Sequence, residues 1–294
     1  MTDMRTTTTP PSRSLCICAD DFGLSAGVNA AVIDLAERGI ASATSCMVRR
    51  RAWLAGARAL LRIDAGAFDA GLHLDLTRPE VSGGPEPALT GLVARTWTHT
   101  AFAPGLRADI RDQFSRFEDA MHRAPAFVDG HRHVHQLPMV RELLVEEIVR
   151  RYGASPPWLR HTAPGPGRGA ERLKAGLIHA LGAAGLSALA RRHGIPTSRR
   201  LLGVYDFAGD MEDHRQRLTA WIAASETGDV LMCHPSAGLT PGDPIGPARL
   251  REYAVLRDLV FPMQGVDGDG EVVPAPLSRW LGTTPVEVPH RAAA

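Results

Sequence analysis

The sequence has no apolar run approaching the ~20 residues that a membrane helix needs, and it has almost no net charge. Thirty-three Lys and Arg oppose 32 Asp and Glu, leaving +1, so no global field favours nucleic acid or an anionic membrane. No nucleic-acid partner and no stable membrane insertion are expected. Cysteine is scarce too. Cys16, Cys18, Cys46 and Cys233 all lie in apolar runs, which reads as buried thiols of a reduced, cytoplasmic protein and excludes a disulfide framework. Cys16 and Cys18 would share one side of a strand, and a tetrahedral zinc site would need two more soft ligands beside them. Residues 1–13 are Thr-rich, lack an apolar core, and read as a disordered leader rather than a signal peptide. Residues 290–294 read as a tail. No internal repeat or composition break divides residues 14–289, so a single domain is expected.

What is present is a regular alternation of apolar strands and amphipathic helices. Strands are predicted at Ser14–Ala19, Ile40–Val48, Phe68–Thr77, Ala126–Asp129, Trp158–His161, Leu201–Tyr205 and Asp229–Cys233. Helices fall between them, the first capped by Ser25 with Val28, Val32 and Leu35 on one stripe. A Gly/Pro-rich insertion is expected at Glu80–Pro104, and Ala170–His193 reads as helix broken at Gly182 and Gly185. About seven βα units imply a mostly parallel α/β fold, and that number favours a distorted (β/α) barrel over an open sheet.

In such a barrel chemistry belongs at the C-terminal strand ends. Reactive residues gather there: Asp20 and Asp21 end strand one, His73 and Asp75 end strand three, and "DGHRHVH" (Asp129–His135) follows strand four. Arg160 ends strand five, Asp206 strand six and His234 strand seven. In "FDAGLHLDLT" the apolar residues alternate with Asp69, Gly71, His73 and Asp75, so His73 faces away from the leucines and needs a partner or a metal. His131, His133 and His135 stand at alternate positions. If that segment is extended, neighbouring rings ~7 Å apart can share an ion and the outer pair cannot.

Two imidazoles with one carboxylate and open positions describe a catalytic divalent site. Asp20, Asp21, His73 and the "HRHVH" group can supply it, a further carboxylate can take a proton from metal-activated water, and His234 can protonate a leaving group. A hydrolase follows.

Taken together, "ADDFGLSAGVNAAV", "GLHLDLT", "DGHRHVHQLP" and "MCHPS" resemble the YdjC/ChbG family of carbohydrate deacetylases over Leu15–Arg257, and "GVYDF" is similar to a further family segment. The resemblance implies a distorted (β/α) barrel with one divalent metal held by Asp21, His73 and His131, Asp20 as base and His234 as acid. It implies removal of the acetyl group from an N-acetylated carbohydrate such as a chitooligosaccharide. Independently of the resemblance, Asp129 and His133 are expected to orient the ligands, Arg160 to meet substrate, and Asp75, Asp206 and Tyr205, near strand ends, to line the pocket. The ligand set suits zinc and the resemblance keeps magnesium open. One departure stands out: Gly130 replaces the usual Ser between the Asp and His of the third motif. The rival readings are a metal-dependent phosphoesterase or amidohydrolase on a similar barrel, and a non-catalytic sugar-binding protein. A homodimer is the expected assembly.

Overall fold

A computed structural model describes residues 12–77, 89–167, 169–266 and 270–288. Strand β1 (Arg13–Phe22) leads to helix α1 (Ala26–Glu37), then β2 (Ala43–Cys46), α2 (Trp53–Leu60) and β3 (Asp69–Leu74). Helices α3 (Leu89–Trp97) and α4 (Ala103–Met121) precede β4 (Phe127–Gly130), a 3-10 turn at His131–Gln136, α5 (Val140–Tyr152) and β5 (Trp158–Leu159). Then come α6 (Gly169–Ala180), α7 (Ala183–Arg192), β6 (Leu201–Leu202), α8 (Met211–Ala223), β7 (Val230–Cys233) and α9 (Gly246–Arg257). Two further strands, β8 (Met263–Gln264) and β9 (Glu271–Pro274), and a short α10 (Leu277–Leu281) complete the chain.

Local chemistry sets these boundaries. The Ser25 hydroxyl accepts from Val28 N at 3.2 Å, the cap expected for α1, and Gly39 follows the helix at φ 68°. Asp210 and Asp213 cap α8 reciprocally. The Ala/Leu-rich stretch breaks at Gly182, whose φ of 141° ends α6 and starts α7. Among the described residues no single helix is long and apolar enough to cross a membrane; α6 and α7 pass that test only as a pair bent by 49°.

The strands run in the order β5-β4-β3-β2-β1-β7-β6, every pairing on that path parallel. This is the order of a seven-strand ring opened between β5 and β6. Across that seam, among the described residues, the ladder pairing is reduced to two isolated bridges, Leu159↔Thr197 and Pro164↔Leu201, each joining one strand to the segment beside the other. The expected distorted barrel therefore has a weak seam between β5 and β6, two residues each.

Alternation sorts the side chains into two cores. Leu15, Ile17, Ala70, Leu72, Val128, Leu159 and Leu231 face out and pack under the helices. Cys16, Cys18, Ala43, Phe127, Trp158, Val230 and Met232 face in and form a separate cluster. Phe127 stacks on Trp158 with ring centroids 4.3 Å apart. Gly71 leaves room for this pair, since a Cβ there would lie 2.5 Å from the Phe127 ring.

The lower end of the inner face is closed by elements the sequence pattern did not reveal. Strand β9 pairs with Arg13–Leu15 of β1, and α10 brings Ser278 N within 2.9 Å of Asp69 Oδ2. Trp158 Nε1 donates to the same oxygen at 3.2 Å. Burial nevertheless pushes the Asp69 carboxyl above its ordinary range.

Three expectations change. The insertion expected at Glu80–Pro104 contains α3 and the start of α4 from Leu89 onward, because Leu92 packs into the core, while residues 78–88 lie outside the described residues. Arg13, assigned to the leader, already belongs to β1; residues 1–11 and the expected tail 290–294 lie outside the described residues. Finally, β1 runs on to Phe22 instead of stopping before the two acids.

Filling the space beside Phe127 should be costly. Gly71→Ala is expected to destabilise the fold by about 1–3 kcal/mol in urea unfolding, and wild-type stability would contradict the packing described.

Candidate metal centre and active site

The inner side of the sheet carries one reactive group at nearly every upper strand end: Asp20 on β1, Ser45 on β2, His73 on β3, Asp129 on β4, then Arg160 just past β5 and His234 just past β7. Asp20, the next inward position after Cys16 and Cys18, belongs to this series. Asp21 should point outward, and the backbone prevents it. The β1–β2 register shifts between Ala19 and Phe22, and Asp21 adopts φ 68°, a left-handed conformation that Asp tolerates better than most residues. The turn is pinned behind it, where Gly23 N donates to Asn29 Oδ1 at 2.7 Å.

"HRHVH" is not extended. It winds as a 3-10 turn with Arg132 and His133 at φ 52° and 60°, so spacing along a strand does not govern which rings can share an ion. The turn brings His131 Nδ1 to 3.1 Å from Asp21 Oδ1 and aims the others elsewhere. His135 Nε2 donates to the Arg160 carbonyl at 2.9 Å, and burial pushes its ring down to about 4, which keeps it neutral. His133 is likewise driven well below the usual histidine range by burial, and its buried Nδ1 finds no partner among the described residues. The turn also explains Gly130: a Cβ there would lie 2.8 Å from His135 N.

Asp21 Oδ1 thus faces His131 Nδ1 at 3.1 Å and His73 Nε2 at 3.3 Å. These three donors lie within 4.8 Å of one another, close enough to bind one ion. The other nitrogen of His73 bonds Asp129 Oδ1 at 2.7 Å, with Ser45 Oγ at 3.0 Å. A carboxylate behind an imidazole that turns its free nitrogen to the centre is the usual support of a metal-binding histidine. Asp20, His73 and Asp129 form a second possible group. A guanidinium already fills it: Arg160 Nη1 lies 2.5 Å from Asp20 Oδ2 and 2.8 Å from Asp129 Oδ2, while Nη2 lies 2.7 Å from Asp20 Oδ1. The residues therefore fit one divalent ion at Asp21, His73 and His131.

The charges are mutually dependent. Burial alone would raise the Asp20 carboxyl, but Arg160 overrides it and holds the group well below the usual carboxylate range. Burial would lower His73; Asp129, Asp21 and Asp20 outweigh it and push the imidazole up to about 10.

The remaining expected residues are placed differently. Arg160 is 1% exposed and committed to two carboxylates, so its side chain is an internal brace rather than a substrate contact. Asp75 is buried against Arg50 Nη2 at 2.5 Å and accepts from Thr77 N at 3.0 Å. Asp206 is exposed and caps a turn through Ala208 N, as strand-end acids commonly do. Tyr205 is buried and donates to Glu252 Oε1 at 2.6 Å. His234 packs edge-on to Phe207, its backbone N–H donates to Glu252 Oε2, and its Nδ1 lies 4.0 Å from Glu252 Oε1.

Sequence reasoning missed Glu252 and Arg249, both on α9. Arg249 Nη2 bonds Asp21 Oδ2 at 2.6 Å. The available signal was two opposite charges three residues apart, which share one helix face, in an otherwise ordinary covering helix.

Two outcomes follow. With the His73 imidazole pushed up to about 10, an incoming divalent ion would have to displace its proton, so ion binding is expected to release about one proton and to strengthen as pH rises through neutrality. Calorimetry in buffers of different ionisation enthalpy measures this, and zero proton release would contradict it. Arg160→Met, which strands two buried carboxylates, should cost about 3–5 kcal/mol in denaturant unfolding.

Comparison with known proteins identifies the family. Chitooligosaccharide deacetylases of Enterobacter sp. (strain 638) and Salmonella schwarzengrund are 31% and 30% identical over 145 residues, 47% of this chain and 56% and 57% of theirs. The chain thus spans little more than half the length of these curated relatives. A candidate cellobiose-phosphate cleavage protein from Enterococcus faecalis V583 shares the fold at TM-score 0.59 and 19% identity, covering 84% of this chain and 92% of that one. An uncharacterized protein from Agrobacterium tumefaciens C58 superposes at TM-score 0.51 and 13% identity, covering 92% of each chain. Residues 14–263 match the YdjC-like protein family. The chain belongs to that family.

Proposed function

We propose that this protein is a metal-dependent hydrolase that removes the acetyl group from an N-acetylated carbohydrate, of the kind named for its chitooligosaccharide deacetylase relatives. The observation that carries this reading is the convergence of Asp21 Oδ1, His73 Nε2 and His131 Nδ1 beside a separate, ionised Asp20. One carboxylate and two imidazoles with open positions form a donor set suited to zinc more than to magnesium, which prefers oxygen ligands. When bound, such an ion would acidify water and polarise the acetyl carbonyl.

The chain's own residues supply the rest. Asp129 and Ser45 hold the His73 ring so that Nε2 faces the centre. Asp20, kept ionised by Arg160, accepts the water proton. His234 donates to the leaving nitrogen, positioned through its backbone bond to Glu252 and its packing on Phe207. His133, whose Nδ1 has no partner among the described residues, is assigned to substrate or ligand orientation.

Purified protein incubated with N-acetylated chitooligosaccharides and zinc is expected to release acetate. Phosphate from phosphoesters, with no acetate from any N-acetyl sugar, would instead support the phosphoesterase reading. Asp20→Asn should keep the metal and lose at least 100-fold in kcat, whereas His73→Ala should lose the metal. The opposite pattern would reverse the two roles.

A further inference from the structure

Asp21 is a strained ligand in need of support. It is 1% exposed, stands at φ 68°, and offers two equivalent oxygens of which only Oδ1 faces His73 and His131. The second oxygen is met from α9 by Arg249 Nη2 at 2.6 Å. Arg249 is itself buried, 3% exposed, and its Nε is fixed on Asp243 Oδ2 at 2.6 Å, while Nη1 has no partner among the described residues. The loop before α9 thus supplies a carboxylate whose place is to aim a guanidinium at the far side of the ligand.

A positive charge beside a cation site ought to weaken that site by repulsion. A carboxylate free to rotate on a strained backbone loses more: it can chelate through both oxygens, or turn to either imidazole and occupy the nitrogen the ion needs. Hydrogen bonding to the outer oxygen of a ligating carboxylate commonly contributes 10–100-fold in metal affinity.

We propose that Arg249, aimed by Asp243, is a positioning residue that locks Asp21 into single-oxygen ligation and keeps Oδ1 directed at the His73–His131 pair. The inference rests on the ion site assigned above, and it adds α9 to the metal centre as a working part.

The test is zinc affinity, measured by competition with a chromophoric chelator on the full chain, with melting of the metal-free proteins as a control on folding. Arg249→Met is expected to bind zinc 10–100-fold more weakly than wild type. Arg249→Lys should recover part of the loss, because an ammonium reaches Asp21 without the fork that also engages Asp243. Asp243→Asn, which leaves the guanidinium in place but unaimed, should weaken binding in the same direction by a smaller factor. A folded Arg249→Met protein with wild-type or tighter affinity overturns the proposal. Should that variant fail to fold, wild-type affinity in Asp243→Asn overturns it equally. A wild-type protein that binds no zinc would sink the ion site itself and this inference with it; unchanged affinity in the variants would sink the inference alone.

Discussion

The site is organised around one guanidinium. Arg160 enters from the end of β5 and joins Asp20 on β1 to Asp129 on β4, so three strands are tied across the inner face by a single buried cation. Two features of the site lean on that tie. Asp129 is held where it can orient His73, and His73 therefore presents Nε2 to Asp21. Asp20 stays ionised in a place where burial alone would neutralise it. Desolvating a lone Arg would be prohibitive, and two carboxylates without it would repel each other; together they form a compact network in which each charge is paired.

The fold provides the means to assemble this network from distant positions. Because alternate strand residues point inward, a period of two places Cys16, Cys18 and Asp20 in a column, and likewise Asp69, Gly71 and His73, with apolar or plugging residues below and reactive ones above. The lower half is closed by Phe127 on Trp158 and by Ser278 on Asp69. The upper half is left to polar groups. The seam between β5 and β6 lies beside Arg160, so the brace also sits where the ring of strands is least complete.

Much of this was legible in the sequence, because the signals are local. Alternation in "FDAGLHLDLT" identified the inward face of β3, Ser25 announced α1, and the clustering of His and Asp at strand ends marked residues that the fold brings together. What stayed hidden depends on backbone conformation or on long-range contact. No propensity shows that Asp21 turns left-handed, yet that turn decides which of two adjacent acids meets the histidines. The alternating histidines invited a strand reading, and the chain winds them into a 3-10 turn instead, leaving one at the centre. Arg160 was expected at the substrate, and its carboxylate partners lie 31 and 140 positions away, beyond the reach of local pattern. Arg249 and Glu252 sit on a helix whose amphipathic pattern is weak, and only tertiary contact shows that its buried charges point into the site.

The metal site is proposed at Asp21, His73 and His131 rather than at the neighbouring Asp20–His73–Asp129 group. Anomalous diffraction at the zinc edge from crystals of the metal-loaded protein tests it most directly. A single peak about 2 Å from Asp21 Oδ1, His73 Nε2 and His131 Nδ1, with Arg160 still bridging Asp20 and Asp129, is the predicted result. A peak between Asp20 and Asp129 with Arg160 displaced, or no peak at saturating zinc, would contradict it.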